Sequence, residues 1–149
     1  MLGELTANQI EMVLYCEVIG RIGCHANDNT YVVPTTYAYD GQFVYGHTIE
    51  AMKIAMMRKN PKVCFEVDNI ENMSNWRSVI AWGIFEELLD PEERRAGMTR
   101  LIDRVSPLLT GETTVGQSMT DGHGKYIEAM KGVVYRIKLT KKTGRYEKR

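Results

Sequence analysis

The chain has 149 residues, of which 44% are hydrophobic and 26% charged, as is typical of one globular domain. Nineteen Lys and Arg balance nineteen Asp and Glu, so the chain as a whole has no electrostatic reason to bind nucleic acid or an anionic membrane. Its apolar runs are far shorter than the roughly 20 residues that span a bilayer, and acidic residues occupy the start, where a signal peptide is basic and then apolar. We expect one cytoplasmic domain over 1–149, with no nucleic-acid or membrane partner.

The three cysteines, Cys16, Cys24 and Cys64, have no CxxC spacing, and no two of them lie beside a His that they could share. We interpret them as buried thiols and predict no metal site. Charge is uneven along the chain, because 131–149 holds eight basic residues and one acidic residue. This basic end is either a solvated tail or a strand that ends near an anionic ligand or a partner subunit.

The first predicted element is a helix over 7–16. Thr6 and Gln9 have the form of a capping box, and apolar residues follow at helical spacing. Three strands of a meander come next, over 20–27, 30–39 and 42–47. Residues 27–29 supply the first turn, and Asp40-Gly41 is a preferred hairpin turn.

At Thr48 the spacing of hydrophobic residues changes from the alternation of a strand to the spacing of a helix. Thr48 is the predicted N-cap of this second helix. This helix ends near Asn60-Pro61, because the residue before a proline disfavours helical backbone. Polar and apolar residues alternate over 62–68, which predicts a strand. A polar loop over 69–75 precedes a further strand over 76–88, in which Gly83 marks a bulge or a close approach.

The third helix is predicted from Asp90, as N-cap, to Val105, with Pro91 at its first position. Residues 108–125 are polar and Gly-rich and predict a long loop or lid. A last strand is predicted over 132–140. Six strands with turn-linked neighbours and three short helices show no βαβ repeat, so we predict a mostly β (α+β) fold: a closed or partly closed antiparallel barrel with helices at its rims.

One group of residues has the chemistry of a ligand site. Pro34 has no backbone N–H to donate to a neighbouring strand, so it lies at a sheet edge or where the backbone faces a planar ligand. Thr35 and Thr36 add hydroxyl groups beside it. The helix that starts at Thr48 attracts anions at its N-terminus, and Lys53 can complete a phosphate cradle with His47. A mononucleotide site is one interpretation; an edge proline and a capped helix with one lysine is the other.

Two runs carry a family resemblance: YGHTIEAMKIAMMRKNPKVCFEVD at 45–68 and NWRSVIAWG at 75–83. They resemble the flavin-nucleotide-binding branch of the pyridoxamine 5′-phosphate oxidase-like proteins, which includes nitroimidazole-resistance reductases. The likeness spans about 20–87, with weaker agreement in the helix after Asp90 and in the last strand. Lys53 stands seven residues before Asn60, as the phosphate-binding lysine does in that family.

The resemblance implies a six-stranded antiparallel split β-barrel that binds FMN as a homodimer, with two sites at the subunit interface. It implies that the ribityl chain and ring edge are lined by Val33, Pro34, Thr35, Thr36 and Tyr37. It places the phosphate at His47, Thr48 and Lys53. It places the polar edge of the flavin ring at Ser78 and Val79. For Tyr45 and Trp76, core or interface packing and ring stacking both stay open.

The sequence also departs from the family pattern. Ala51 replaces a common glycine, and Met52 replaces a second basic residue, so weaker phosphate binding is expected. The Trp, Arg and His that bind pyridoxal phosphate in the true oxidases have no clear match in 132–149. Arg145 is only loosely comparable with that Arg. A vitamin B6 oxidase is therefore not expected.

Three functions fit these observations. The first is a small FMN-dependent oxidoreductase acting on an unknown small molecule, with no residue assigned as catalytic. The second is a flavin-binding or stress-response module without turnover. The third is a related barrel that has lost FMN or binds another planar ligand, such as haem or a deazaflavin.

Overall fold

The structure is a computed structural model that describes residues 1–108 and 131–149. In this part of the chain, eight strands form one antiparallel sheet and three helices pack against it. The strands are β1 (Leu2–Glu4), β2 (Ile19–Ala26), β3 (Asn29–Thr36), β4 (Ala38–Tyr39), β5 (Phe43–Thr48), β6 (Lys62–Asn72), β7 (Asn75–Glu87) and β8 (Val133–Glu147). The helices are α1 (Ala7–Cys16), α2 (Met52–Lys59) and α3 (Pro91–Val105), and one 3-10 turn covers Ser106–Leu108.

The sheet curls on itself without closing. Its strand order is β3-β2-β6-β7-β8-β5-β4, with β1 paired to β8 outside this path. Only Tyr37 separates β3 from β4, yet β3 pairs with β2 while β4 pairs with β5 at the other end of the order. The curled sheet therefore leaves a gap between β3 and Gly46–Thr48 of β5, which we call the split. This architecture matches the predicted split barrel.

The curl encloses the main core. Inward residues of the strands meet α1 and α2, whose buried side chains include Leu14, Ile54 and Met57. A second, smaller core lies under α3, on the other side of β5 and β8, and it contains Tyr45, Leu88, Met98, Leu101 and Val134. Tyr45 thus packs in a core. Among residues 1–108 and 131–149, no helix combines the length and the apolar character needed to cross a bilayer.

Two of the three predicted helices have the expected bounds. α1 starts from the Thr6–Gln9 capping box, and α3 starts from Asp90, whose carboxylate accepts the Glu93 N–H. α2 begins later than predicted, at Met52 with Ala51 as N-cap. The prediction of Thr48 as N-cap was wrong because Thr48 pairs with Val133 as the last residue of β5.

The predicted count of six strands was wrong. β1 is too short for any alternation to reveal it, and the single strand predicted over 30–39 divides into β3 and β4 at Tyr37. The predicted loop over 69–75 was also wrong, because β6 and β7 continue to a two-residue turn between Asn72 and Asn75. Pairing with a neighbour extends these strands although their own residues are polar.

The basic end of the chain is a strand and not a solvated tail. β8 continues to Glu147, past the predicted end at Thr140, because β7 and β1 both pair with it. Lys142 on this strand pairs with Glu11 of α1 and donates a hydrogen bond to the Tyr39 hydroxyl. The strand alternative is therefore correct, while its nearness to a ligand or partner stays a prediction.

Gly83 is both a bulge marker and a point of close approach, as predicted. The β7–β8 register shifts between Trp82 and Gly83, and a Cβ on Gly83 would lie 2.4 Å from the Lys138 carbonyl oxygen. Only glycine fits there without moving backbone. The predicted lid over 108–125 lies outside the described residues except for Leu108.

Candidate functional site

The split is a strand-lined opening with free backbone groups. β3 is an edge of the sheet and pairs only with β2, so its outer N–H and C=O groups face the gap. Pro34 lies on this edge strand, opposite Arg21, which confirms its expected position at a sheet edge. The opposite wall is Gly46–Thr48, where β5 extends beyond its pairing with β4.

Lys53 is a mostly buried side chain whose ammonium reaches the surface near Cys24 of β2. Only 8% of its surface is exposed, and its ammonium forms no hydrogen bond or ion pair with any residue that the structure describes. No fully buried side-chain nitrogen or oxygen among the described residues lacks a hydrogen-bond partner, so the ammonium is accessible from outside. Burial lowers the pKa of Lys53, and the nearby Cys24 thiol acts in the opposite direction. A partly desolvated ammonium without a partner is suited to receive an anion.

Two sets of contacts hold α2, and therefore Lys53, in place. Arg58 donates to Glu87 on β7 at 2.6 Å and to Glu50 at 2.8 and 3.0 Å. These hydrogen bonds, first to Glu87 and then to Glu50, raise the pKa of Arg58. At the C-cap, two residues after Arg58, the Asn60 side chain donates to the His25 carbonyl at 2.8 Å. The Arg58 and Asn60 contacts thus have a positioning role.

His47 and Thr48 project to opposite faces of β5. Alternation along the strand sends Val44, Gly46 and Thr48 toward the main core and sends Tyr45 and His47 toward α3. His47 Nε2 donates a hydrogen bond to the Lys131 carbonyl oxygen at 2.6 Å. The three residues of the predicted phosphate cradle are therefore not brought together: Thr48 shares the interior side with Lys53, and His47 does not.

The predicted site residues on and after β3 also lie on two different faces of the sheet. Val33 and Thr35 point inward, where the Thr35 hydroxyl bonds to the Tyr135 hydroxyl at 3.2 Å. Tyr37 follows β3 and is fully buried, and its hydroxyl donates to the Leu14 carbonyl at 2.7 Å. Burial raises the pKa of Tyr37. Pro34 and Thr36 point outward and are exposed, so they and the free edge of β3 remain available to a ligand.

Ser78 and Val79 also lie on opposite faces. Val79 is completely buried in the main core, so its side chain is not available to a ligand outside the barrel. Ser78 faces outward and donates from Oγ to Glu66 Oε1 at 3.1 Å. The structure therefore collects Pro34, Thr36 and Ser78 on the outer face of the sheet, away from Lys53 and Thr48.

That outer face also carries a charged cluster that was not predicted from the sequence. Arg21 Nη1 lies 3.5 Å from Glu66 Oε2 and 3.2 Å from Asp68 Oδ2. Burial raises the pKa of Glu66, and a hydrogen bond to Asp68 adds to the rise, while Ser78 and Arg21 oppose it. The signal was present, because inward Phe65 and Val67 force both carboxylates to the outer face.

Large apolar side chains surround this cluster. Val32 is 64% exposed, Trp82 and Ile80 are each 40% exposed, and Ile84 is 37% exposed. Strand register places Val32, Gly23, Cys64, Trp82 and Lys141 in one row across β3, β2, β6, β7 and β8. A mostly apolar groove of about 520 Å³ follows part of this row. Exposed apolar area of this kind marks an interaction surface.

Trp76 lies in a different cavity. It lines a cleft of about 580 Å³ between α1, the β6–β7 turn and the end of β8. Of the cysteines, Cys24 is buried, Cys64 is half-buried and Cys16 is exposed, so the buried-thiol prediction is correct only for Cys24. Among residues 1–108 and 131–149, no three His, Cys, Asp or Glu side chains are grouped to hold a metal ion.

Comparison with known proteins gives one family match and several structural matches. The model of the pyridoxamine 5′-phosphate oxidase family matches residues 6–146. An uncharacterized protein of Rhizobium meliloti (strain 1021) is 36% identical over 70 residues, which cover 47% of this chain and 46% of that protein. The match thus spans about half the length of that relative.

Among solved structures, a FAD-binding protein from Mesorhizobium loti is 27% identical, with a TM-score of 0.77 and 98% of each chain covered. A FAD-binding protein from Mycobacterium smegmatis is 19% identical, with a TM-score of 0.66 and coverage of 97% of this chain and 98% of the other. A flavocytochrome from Azotobacter vinelandii is 20% identical, with a TM-score of 0.70 and coverage of 97% and 68%. The last two likenesses concern the fold alone. With nearly its whole length matched by the family model and its sheet curled into a split barrel, the chain belongs to the pyridoxamine 5′-phosphate oxidase family.

Proposed function

We propose that this protein binds FMN without a covalent bond and acts as a flavin-dependent oxidoreductase on a small molecule. The observation that carries the proposal is Lys53, a mostly buried lysine near Cys24 of β2 whose ammonium has no partner among the described residues. A terminal phosphate is the anion that suits a buried ammonium, because a charge-assisted hydrogen bond strengthens out of water. The description of the Mesorhizobium loti protein, which is 27% identical to this chain, as FAD-binding supports a flavin as the ligand.

Within this proposal, the residues of the chain hold and orient the cofactor. Lys53 would bind the phosphate, the edge backbone of β3 would meet the ribityl chain, and Ser78 would meet the polar edge of a ring on the outer face. The flavin, when bound, supplies hydride or electron transfer. No residue is assigned a catalytic role, and the cytoplasmic location remains a prediction.

The proposal includes a homodimer with FMN at the subunit interface. The two predicted ends of the cofactor site lie on different faces of one chain, so a second copy is needed to complete the site. The outer face offers exposed Val32, Ile80 and Trp82 together with an acidic pair on β6 and basic residues on β8. A two-fold axis can place the acidic part of one copy against the basic part of the other, since such interfaces are self-complementary.

The first test is an absorption spectrum of the purified protein, with mass spectrometry of any small molecule that denaturation releases. Flavin bands and an FMN mass are expected. A colourless protein that also fails to take up added FMN would contradict the proposal. The released mass separates FMN from FAD.

The second test is Lys53→Met, compared with Lys148→Met at an exposed lysine. Loss of a hydrogen bond to a charged group costs about 1.5–3 kcal/mol, so FMN binding should weaken roughly tenfold to 150-fold. The control should bind FMN like the wild type. Equal affinity of Lys53→Met and wild type would remove Lys53 from the phosphate site.

A flavin-binding module without turnover is the second candidate. It is favoured by the absence, among the described residues, of a carboxylate or imidazole in contact with Lys53. Stopped-flow mixing of the flavin-loaded protein with NADH and with NADPH separates the two functions. Rapid bleaching of the flavin supports a reductase, whereas no reduction by either donor favours the module or an oxidase that takes electrons from its own substrate.

A further inference from the structure

The outer face of the sheet contains two carboxylates that share one cation. Glu66 and Asp68 are two residues apart on β6 and therefore project to the same side. Arg21 on β2 contacts both, at 3.5 and 3.2 Å, and among the described residues no other basic side chain contacts either carboxylate. Their side chains are only 27% and 23% exposed, although no helix or strand of residues 1–108 and 131–149 packs over this face.

The groups around the pair do not balance its charge. From β7, Ser78 donates a hydrogen bond to Glu66 at 3.1 Å, and apolar Ile80 lies opposite Glu66 in the register. Arg145 on β8 is paired in register with Ser78, one strand further from Glu66. One guanidinium against two carboxylates leaves an excess negative charge, unless the carboxylates share a proton.

A shared proton fits the geometry. Arg21 Nη1 lies 3.5 Å from Glu66 Oε2 and 3.2 Å from Asp68 Oδ2, so the two carboxylates are close neighbours, and like charges at this separation favour protonation of one of them. Burial, and then the neighbouring Asp68 carboxylate, raise the pKa of Glu66 in the single chain. Covering the face would remove more water and favour the neutral form further.

We propose that the Glu66–Asp68 pair takes up one proton when a second copy of this chain covers the outer face, so that self-association strengthens as pH falls. The inference rests on the homodimer of the proposed function. A site that binds a proton more tightly in the dimer than in the monomer makes the dimer tighter at low pH, by at most tenfold for each pH unit and each proton.

The experiment measures the dimer dissociation constant of the full chain between pH 5 and pH 8, by fluorescence anisotropy on dilution of labelled protein. The wild-type dissociation constant should fall as the pH falls, by up to a hundredfold per pH unit where the pairs titrate, because each of the two copies takes up one proton. Glu66→Gln, which is neutral at every pH, should dimerise tightly and without this slope. Glu71→Gln, an exposed carboxylate further along β6, is the matched control and should keep the wild-type slope.

Three results would overturn the inference: a wild-type constant that does not change with pH, a slope that survives in Glu66→Gln, or a chain that stays monomeric throughout. The first two leave the proposed homodimer intact, and only the last contradicts it. FMN retention, measured in the same samples, reports on the proposed cofactor independently. An infrared carbonyl band of a protonated carboxyl that disappears in Glu66→Gln would support the inference if the dimer is too tight to dilute apart.

Discussion

At the scale of single residues, burial decides what each polar side chain can do. Lys53 is buried without a counter-ion among the described residues, whereas Thr35, Tyr37 and Tyr135 are buried with hydrogen-bond partners. The three satisfied residues stabilise the fold. Lys53 is the exception, and a residue that breaks the rules of burial without compensation is expected at a functional site.

We predict that Lys53→Met stabilises the cofactor-free protein, by about 0.5–2 kcal/mol at neutral pH, because it removes the cost of partly desolvating a charged group that has no partner among the described residues. The folded-state pKa of Lys53 lies below its ordinary value of 10.5, so the unfolded chain binds the proton more tightly. The wild type should therefore gain stability as pH rises toward 10.5 and approach the variant.

Urea denaturation of both proteins without cofactor, at neutral and at alkaline pH, measures this difference. Lys148→Met, at an exposed position, should match the wild type at both pH values. A Lys53→Met protein that is less stable than the wild type at neutral pH would show that the lysine stabilises the fold and that its burial carries no cost.

At the scale of elements, α2 is a short helix without a side-chain N-cap. Eight residues are too few for a stable isolated helix, so its order depends on tertiary contacts: the apolar side chains of Ile54 and Met57 inside the barrel and the Arg58 bridges outside it. The bridges join the start of the helix, through Glu50, to the end of β7, through Glu87.

We expect Arg58→Met to loosen α2 while the sheet stays folded. Hydrogen exchange should speed up at the amides of 54–57 and should change little in β6 and β7. Arg77→Met is the control, since Arg77 is exposed and makes no hydrogen bond or ion pair with a described residue. Unchanged exchange in α2 would show that its apolar face alone fixes the helix.

At the scale of the whole molecule, the elements that the structure describes cover one face of the sheet and leave the other open. The covered face holds the main core, while the outer face exposes Trp82 between the exposed Ile80 and Ile84 on β7. A large aromatic side chain at the centre of a patch is the usual source of binding energy in an interface.

Trp82→Glu is therefore expected to convert a dimer into a folded monomer. Light scattering should report a mass near 17.0 kDa for the variant and twice that for the wild type. Leu89→Glu is the matched control, because Leu89 is 74% exposed but lies beyond the end of β7. A dimeric Trp82→Glu protein would place the interface elsewhere.

Local chemistry made much of the fold predictable. The Thr6 and Asp90 caps fixed the starts of α1 and α3, and the turn at Asp40-Gly41 fixed the β4–β5 hairpin, where Asp40 accepts the Gln42 and Phe43 N–H groups. The predictions failed where a neighbouring strand supplies the order. Thr48 belongs to a strand and not to a helix because Val133 pairs with it.

By itself, the sequence determined most of the strands and helices and the antiparallel class, limited Pro34 to a sheet edge or a ligand-facing position, and made Lys53 a candidate binding residue that stays a prediction. These features depend on turn chemistry, caps, proline geometry and charge, which act within a few residues along the chain. The tertiary structure alone decided which side of a strand each candidate occupies in the molecule. It placed His47 against Lys131, buried Val79 and joined Arg21 to Glu66, because contacts between strands far apart in sequence depend on pairing that no local pattern encodes.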